Sequence, residues 1–170
     1  MKKIPLTKNK MAIIDDEDFD LVMAHSWSAA KYGSKYYAST RINGKTVYMH
    51  RLILNPPNEK RTDHINGNGL DNRRQNLREC NIQQNARNAT RLHAMNTSGF
   101  RGVSLSSRKN LTKKWIANIN ISKNGKIKQK SLGYFLTAED AAKAFDRAAK
   151  EIYGEFCGIL NFEKFPRGTK

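Results

Sequence analysis

Residues 114–149 read KWIANINISKNGKIKQKSLGYFLTAEDAAKAFDRAA, and this stretch decides the fold of the C-terminal half of the chain. From residue 114 to residue 122 apolar and polar side chains alternate, which predicts a half-buried β-strand. Asn124-Gly125 favours a tight hairpin turn, so we expect a returning strand over residues 127–135. An earlier segment, residues 100–105, is predicted to complete a three-stranded antiparallel sheet.

After the second of these strands the apolar period changes to that of a helix. Thr137, with an acid three residues on, is typical of a helix N-cap, and Gly154 offers a stop. The side chains predicted to face the core recur at helical spacing: Ala138, Ala141, Ala142, Phe145, Ala148, Ala149 and Ile152. Because the helix is nearly neutral and the strands are basic, we expect the sheet to face an anionic partner.

The distribution of charge indicates that this partner is a nucleic acid. The chain has 170 residues with 31 Lys plus Arg against 15 Asp plus Glu, a formal net charge of +16. No acid occurs between Met95 and Ala138, although bases recur throughout that stretch. Apolar residues in the same stretch argue against a disordered basic tail. A two- or three-stranded ribbon fits the major groove of duplex DNA better than it fits the narrow major groove of A-form RNA.

Composition also argues against other classes of protein. No apolar run approaches the roughly 20 residues that a membrane span requires. The basic N-terminus lacks the apolar stretch of a signal peptide, so we expect a soluble cytoplasmic protein without a membrane partner. Cys80 and Cys157 stand alone, with no CxxC pair, and no structural zinc is therefore expected.

Several motifs in the C-terminal unit resemble the AP2/ERF family of DNA-binding domains. They are FRGV at residues 100–103, KWIANI at 114–119, LGYF at 132–135, TAEDAAKAFDRAA at 137–149 and LNF at 160–162. The resemblance implies that the exposed face of the sheet binds DNA. It also implies a set of base-contacting positions: Arg101, Ser104, Asn118, Asn120, Gln129 and Ser131. Several of these are long Arg, Glu or Trp side chains in the plant transcription factors, so we expect a different sequence to be read.

Lysines beside those positions are predicted to contact phosphate groups, which fixes the position of a protein on DNA without specifying sequence. They are Lys113, Lys114, Lys128 and Lys130.

A second constellation lies upstream, where residues 61–78 read RTDHINGNGLDNRRQNLR. Residues 36–42 and 45–50 flank Asn43-Gly44 and predict a hairpin before it. After it, Asn81 with Gln84 three residues on predicts a capped helix, with Ile82, Ala86 and Ala89 facing inward.

Hydrolysis of a phosphodiester is the chemistry that this constellation could support, because the reaction needs a base for water and a cation for the charge on phosphate. Asp63 could hold Mg²⁺ or Mn²⁺ through oxygen, and an amide oxygen from the following helix could be a second ligand. His64, titrating near neutrality, could be the general base. Taken alone, an adjacent Asp–His pair is more often structural than catalytic.

Taken together, the pattern resembles the HNH (ββα-metal) nucleases, in the variant common among phage-type homing endonucleases. The resemblance implies that Asp63 is a metal ligand, His64 the general base and Asn76 the residue that fixes the loop and the imidazole. It also implies that Asn85 is the second metal ligand. Asn85 stands where many relatives have histidine, which favours one Mg²⁺ or Mn²⁺ per site over zinc.

The residues around the motif receive two further interpretations. A group of arginines that flank the proposed cleft is predicted to contact the DNA backbone: Arg73, Arg74, Arg78, Arg87 and Arg91. His50 and Arg51 precede the motif in matching relatives. For their role, phosphate contact and a structural histidine at a strand end are equal alternatives. The acidic residues 15–18 are interpreted as a solvated turn rather than a metal site.

We therefore predict an α+β protein with two modules. Residues 1–90 form an HNH nuclease module with an N-terminal extension, 91–97 a linker, 98–162 an AP2-like domain and 163–170 a basic tail. The predicted function is a metal-dependent endonuclease of double-stranded DNA, a phage-type homing endonuclease acting in the bacterial cytoplasm as a monomer or a DNA-bound dimer. The alternative is a DNA-binding regulator with an inactive nuclease module. An RNA-binding protein is disfavoured because the exposed sheet face lacks aromatic stacking positions.

Overall fold

The computed structural model describes residues 1–88, 92, 95–108, 110–123 and 126–162, and the chain divides into two compact units, 1–88 and 89–170. The predicted tail, residues 163–170, lies outside the described residues, as do residues 91, 93 and 94 of the predicted linker. Among the described residues, no helix combines the length and the apolar character that a membrane span requires.

The N-terminal unit consists of three small antiparallel sheets and three short helices. Its strands are β1 (Lys2–Leu6), β2 (Lys10–Ile14), β3 (Ser28–Tyr32), β4 (Lys35–Ile42), β5 (Lys45–Tyr48), β6 (Arg61–His64) and β7 (Leu77–Cys80). Its helices are α1 (Phe19–Met23), α2 (Met49–Leu54) and α3 (Ile82–Arg87). The sheets pair β1 with β2, β3 with β4 and β5, and β6 with β7.

The predicted hairpin around Asn43-Gly44 is confirmed as β4 and β5, and both turn residues adopt positive φ angles of 51° and 74°. The second strand ends at Tyr48, two residues earlier than predicted, because Met49 and His50 begin α2. His50 is therefore a residue of a helix and not of a strand end.

A single apolar core joins these elements and fixes the loop that follows β6. Ile4, Ile14 and Val22 are buried in it together with Met49 of α2 and Leu77 of β7. Strand β2 also bonds directly to the loop. The backbone N–H of Ile13 donates to the carbonyl of Leu70 over 2.8 Å, and its carbonyl accepts from Asn72 N–H over 2.7 Å.

Helix α3 begins with the predicted capping box, in which Asn81 and Gln84 exchange side-chain to backbone hydrogen bonds. The prediction that Ile82 and Ala86 face inward is wrong, since both are exposed, and Ala89 lies outside the described residues. The buried contact of this segment is instead made by a polar residue, Asn88, at the C-cap.

The C-terminal unit contains the predicted three-stranded antiparallel sheet with one packed helix. Its elements are β8 (Val103–Leu105), β9 (Trp115–Lys123), β10 (Lys126–Phe135) and α4 (Ala138–Tyr153), with strand order β10–β9–β8. The first strand is shorter than predicted, because residues 100–102 form a turn in which Gly102 has a φ of 73°. The predicted turn Asn124-Gly125 lies outside the described residues.

Helix α4 confirms the predicted cap, with the Thr137 hydroxyl accepting from Asp140 N–H over 3.1 Å. The predicted inner face is buried from Ala138 to Ala149 except for the half-buried Ala148, but Ile152 is exposed, and Tyr153 packs against the core in its place. Asp146 is also buried, and its carboxylate accepts from the backbone N–H groups of Asn161 and Phe162. This carboxylate fixes the end of the described chain to the helix.

Substitution of Gly102 by alanine tests the packing of α4 against the sheet. An added Cβ would lie 2.0 Å from the ring of Phe145, and the positive φ adds backbone strain. We expect Gly102→Ala to lower the free energy of unfolding of the C-terminal unit by about 2–4 kcal/mol. Native-state hydrogen exchange of the β9 amides measures this loss.

Gly99→Ala is the matched control, because Gly99 has a φ of 75° but open space where the Cβ would lie. It should cost about 1 kcal/mol, from strain alone. Equal losses for the two variants would contradict the close contact with Phe145.

Candidate functional site

The adjacent strands β6 and β7 place Asp63 and His64 at the base of a loop. His64 pairs with Leu77 and Asp63 with Arg78 in the antiparallel register, and residues 65–76 connect the two strands. Both side chains are only 5% exposed. Because two adjacent residues of a strand normally point to opposite faces, their joint burial requires partners on both sides of this small sheet.

Polar side chains hold the connecting loop in one conformation. The Oδ1 of Asn76 accepts from Asn66 N–H over 3.0 Å, and its Nδ2 donates to the carbonyl of Asp71 over 2.7 Å. The Asp71 carboxylate accepts from Asn66 Nδ2 over 2.9 Å and pairs with Arg73 over 2.7 Å. Burial raises the pKa of Asp71, but the hydrogen bond and charge of Arg73 outweigh it and hold that pKa below its usual value. Asn76 thus bridges the two ends of the loop.

The ring of His64 is held by Asn72, a residue that the motif did not single out. Asn72 is fully buried, and its Oδ1 lies 3.2 Å from Nε2 of His64. Its Nδ2 donates to the Leu70 carbonyl, which identifies Oδ1 as the oxygen facing the imidazole. Nε2 must then carry the proton of the neutral ring, and Nδ1 is the nitrogen that can accept one.

Burial lowers the pKa of His64, although the hydrogen bond with Asn72 and the charge of Asp63 partly offset it. The imidazole is therefore neutral at pH 7, which is the state that a general base requires.

Two rings contact the imidazole of His64, and a third stacks on one of them. The ring of His50 lies edge-on to it with centroids 4.9 Å apart, and Tyr37 lies at 5.9 Å. Tyr48 stacks on His50 at 5.6 Å. Burial, with the charges of His64 and Arg51, lowers the pKa of His50 to about 3. The structure thus places His50 in the wall of the site, and Arg51 donates to the carbonyl of Lys60.

Asp63 is engaged by two side chains. Arg78 donates from Nε and Nη2 to Oδ2 over 3.1 and 2.8 Å. Asn88 donates from Nδ2 to both carboxylate oxygens over 3.0 and 3.1 Å and to the His64 carbonyl over 2.7 Å. Asn88 is therefore the α3-proximal residue in contact with Asp63, whereas Asn85 is exposed. The assignment of Asn85 as a metal ligand stays a prediction.

One atom near Asp63 lacks a hydrogen-bond partner among the described residues. The Oδ1 of Asn88 is buried and accepts from none of them. An amide oxygen beside a carboxylate is a donor set that Mg²⁺ and Mn²⁺ prefer. The residues present therefore fit a hard divalent cation, provided that Arg78 yields its place on the carboxylate.

Two of the other predicted arginines of this unit also have acidic partners. Arg73 pairs with Asp71, as described, and Arg74 pairs with Asp18 over 2.7 Å and Glu17 over 2.9 Å. The acidic segment, whose Asp15, Glu17 and Asp18 oxygens lie within 4.8 Å of one another, thus holds Arg74. Arg87 is half-buried at the end of α3. Their predicted DNA contacts remain predictions.

Lys35, at the start of β4, is a further charged residue near Asp63 and His64 that sequence reasoning missed. Burial lowers its pKa, and the charge of Asp63 opposes the shift. With Lys10 and Tyr36 it lines a cavity of about 250 Å³ beside loop residues 67–70. Nothing in the sequence places a lysine 28 positions before Asp63 next to it, because the proximity comes from tertiary packing.

The predicted DNA-contacting residues of the C-terminal unit divide between two faces of its sheet. Asn118 pairs with Ser131 and Asn120 with Gln129, so these four point away from α4. Ser104 pairs with Ile116 and shares their face. We call these five residues the polar face.

Lys128 and Lys130, the lysines of β10 that are predicted to contact phosphate, alternate with these residues and point the other way. Lys130 pairs with Ile119 and Lys128 with Ile121, whose side chains pack on the helix side. Both lysines are exposed because β10 is the edge strand. Among the described residues, the strands of this sheet contain no acid.

The remaining two positions lie outside the strands. Arg101 is half-buried in the turn before β8, and Lys114 is exposed directly before β9. Burial lowers the pKa of Arg101, and the charge of Asp146 opposes that shift.

Comparison with known proteins finds a weak relative of the nuclease class. The chain is 28% identical over 155 residues to a protein of Acanthamoeba polyphaga mimivirus named an uncharacterized HNH endonuclease. The match covers 88% of this chain and 74% of that protein. No family model matches the chain, and no solved structure matches it. The similarity supports the HNH resemblance, whereas the AP2/ERF resemblance stays a prediction.

The buried His50 makes stability depend on pH. The pKa of a histidine in an unfolded chain is about 6.5, and that of folded His50 is about 3. Between these values the unfolded chain binds a proton that the folded chain excludes, so stability falls as pH falls. We expect the free energy of unfolding of His50→Phe to fall less steeply with falling pH than that of the wild type, by up to about 1.4 kcal/mol per pH unit.

Urea unfolding at pH 7, 6, 5 and 4 measures this difference. Tyr48→Phe is the control, because it alters the same ring stack without removing a histidine and should keep the wild-type slope. Parallel stability curves for the wild type and His50→Phe would show that the histidine is not excluded from protonation in the folded state.

Proposed function

We propose that this chain is a metal-dependent endonuclease that hydrolyses phosphodiester bonds in double-stranded DNA. The observation that supports this proposal most is the buried Asp63–His64 pair. Asn72 holds one nitrogen of His64 and leaves Nδ1 as the basic one. The mimivirus relative, named as an HNH endonuclease, supports the same class.

His64 acts in this proposal as the general base. Its Nδ1 takes the proton of a water molecule that attacks the phosphorus, and the hydrogen bond from Nε2 to Asn72 keeps the ring from turning. The rings of His50 and Tyr37 pack against the imidazole, with Tyr48 stacked on His50, and exclude water from the parts of the imidazole that they cover. Asn76 supports the loop that carries Asn72 and thereby positions the base.

Asp63 would hold one Mg²⁺ or Mn²⁺ ion, with an amide oxygen from the α3 segment as the second protein ligand. The buried Oδ1 of Asn88 is one candidate for that ligand and Asn85, assigned by resemblance, is the other. A bound divalent ion supplies stabilisation of the negative charge that develops on the phosphate and the leaving oxygen.

The C-terminal unit would place the nuclease on DNA through its polar face, with Lys114, Lys128 and Lys130 as phosphate contacts beside it. Amide and hydroxyl side chains read base edges in the major groove, and lysines supply affinity without sequence preference. The setting that we propose, a phage-type homing endonuclease, follows from the resemblance of the central motif. The DNA-binding role of this unit is likewise proposed from the resemblance of its motifs to AP2/ERF domains.

The ion pair between Arg78 and Asp63 favours a second candidate function, a DNA-binding regulator without cleavage. A guanidinium on the buried carboxylate of Asp63 would block a cation if it never moved. Cleavage activity decides between the two candidates.

Substitution of His64 tests the proposed base. With Mg²⁺ present, the wild-type chain should cut or nick plasmid or phage DNA, and a chelator should stop it. His64→Ala should reduce the cleavage rate by at least about 100-fold, the contribution of a general base, and leave DNA affinity within twofold. His25→Ala, at the end of α1, is the control histidine. Normal cleavage by His64→Ala, or full wild-type activity in excess chelator, would refute the mechanism.

A single negative charge on the polar face tests which surface meets DNA. Asn120→Asp is nearly isosteric and lowers the net charge by one, as does Lys143→Gln on α4. Because a face that meets phosphates should be far more sensitive than a remote one, we expect Asn120→Asp to weaken duplex binding by about 10-fold at low salt. Lys143→Gln should change it less than twofold. Fluorescence anisotropy in chelator measures both, and equal effects would contradict the orientation.

A further inference from the structure

The contact between Arg78 and Asp63 joins the two residues that the proposed chemistry would need to separate. They are direct cross-strand partners in the β6–β7 register, so the pairing is built into the sheet and not a chance surface contact. The two side chains are 10% and 6% exposed. Arg78 approaches Oδ2 with two of its nitrogens, Nε and Nη2.

The same carboxylate cannot fully serve a guanidinium and a divalent cation. Both are positive, both seek the carboxylate oxygens, and repulsion between them is strong in a buried site. Asn88 also donates to both carboxylate oxygens, but it is neutral, and a turn of its amide would present Oδ1 in place of Nδ2 to the cation. Arg78 is thus the group that a cation must displace.

DNA offers Arg78 an alternative partner of the right chemistry. A guanidinium binds phosphate oxygens with the same planar fork that it presents to a carboxylate. A backbone phosphate brought to the loop could therefore accept Arg78 as Asp63 is released. Movement of Arg78 from Asp63 to a phosphate then favours binding of both the cation and the DNA. This is the condition for thermodynamic coupling between two binding sites.

We propose that Arg78 is a built-in competitor for the cation at Asp63, and that duplex DNA displaces it, so that metal and DNA bind cooperatively. This inference rests on the proposed function, because it takes Asp63 as the metal ligand. Without DNA, Arg78 holds the carboxylate and the cation binds weakly. With DNA, the guanidinium turns to a phosphate, and the carboxylate takes the cation only where a substrate is present.

The experiment measures Mn²⁺ affinity of the full chain by electron paramagnetic resonance of free Mn²⁺, with and without a duplex. All variants carry His64→Ala so that the DNA is not cut, and Mn²⁺ bound by the duplex alone is subtracted. In this background, we expect DNA to tighten Mn²⁺ binding by about 10-fold, the scale of ordinary coupling between sites. Arg78→Met should bind Mn²⁺ about 10-fold more tightly without DNA, and DNA should then add less than twofold.

Two control variants separate this inference from the function on which it rests. Asp63→Asn should abolish the protein-bound Mn²⁺, and if it does not, the proposed metal site is wrong whatever Arg78 does. Arg41→Met removes one positive charge of the same unit at an exposed position of β4 and should leave Mn²⁺ affinity unchanged. An equal gain in Arg41→Met would show a general effect of charge and overturn the specific role of Arg78.

Thermal unfolding establishes that each variant folds, and Arg78→Lys replaces Arg78→Met if that variant does not. A lysine keeps the charge but loses the fork, so Arg78→Lys should tighten Mn²⁺ binding less, by about twofold to threefold. Unchanged or weaker Mn²⁺ binding in the folded Arg78 variant, with an undiminished effect of DNA, would overturn the proposal. Arg78 would then only hold Asp63 in position.

Discussion

Burial of the Asp63 carboxylate is the constraint on which the N-terminal unit depends. A buried carboxylate is costly unless its oxygens are satisfied, and here Arg78 and Asn88 satisfy them. Asn88 also donates to the carbonyls of His64 and Ile65, so the end of α3 is tied to the end of β6 by one amide. The capped helix and the β6–β7 sheet are thereby held around the Asp63–His64 pair.

The loop between the two strands holds the imidazole of His64, the proposed general base, in one orientation. Asn76 and Asp71 fix its backbone, β2 bonds to it on either side of Asp71, and Asn72 then meets the imidazole. Like an ordinary core histidine, His64 has an imidazole that is buried and neutral. It differs chiefly because Asn72 holds Nε2 and leaves Nδ1 to accept a proton. The motif is therefore best understood as a scaffold of amides around one ring.

Local patterns predicted most of the elements, whereas the polar contacts of the site came from tertiary packing. Alternation along β9, the Asn43-Gly44 turn and the caps at Asn81 and Thr137 were readable because each depends on neighbours in sequence. The inward face of α3 was predicted wrongly, because a six-residue helix anchored by Asn88 does not bury an apolar stripe. Asn72 and Lys35 were missed since their roles require knowing what packs against them. The Asp63–Arg78 pair was open to prediction only once the register of β6 and β7 was known.

The position of Lys126, Lys128 and Lys130 has a meaning separate from DNA. They lie along β10, whose outer side exposes a row of unpaired backbone groups at the margin of the sheet. Such a margin is a template on which a second polypeptide can add a strand, and lysines there discourage that addition through repulsion between like charges. At the opposite margin β8 is only three residues long, too short to serve as a template. The same charges that we propose as phosphate contacts thus also disfavour the joining of copies of this chain edge to edge.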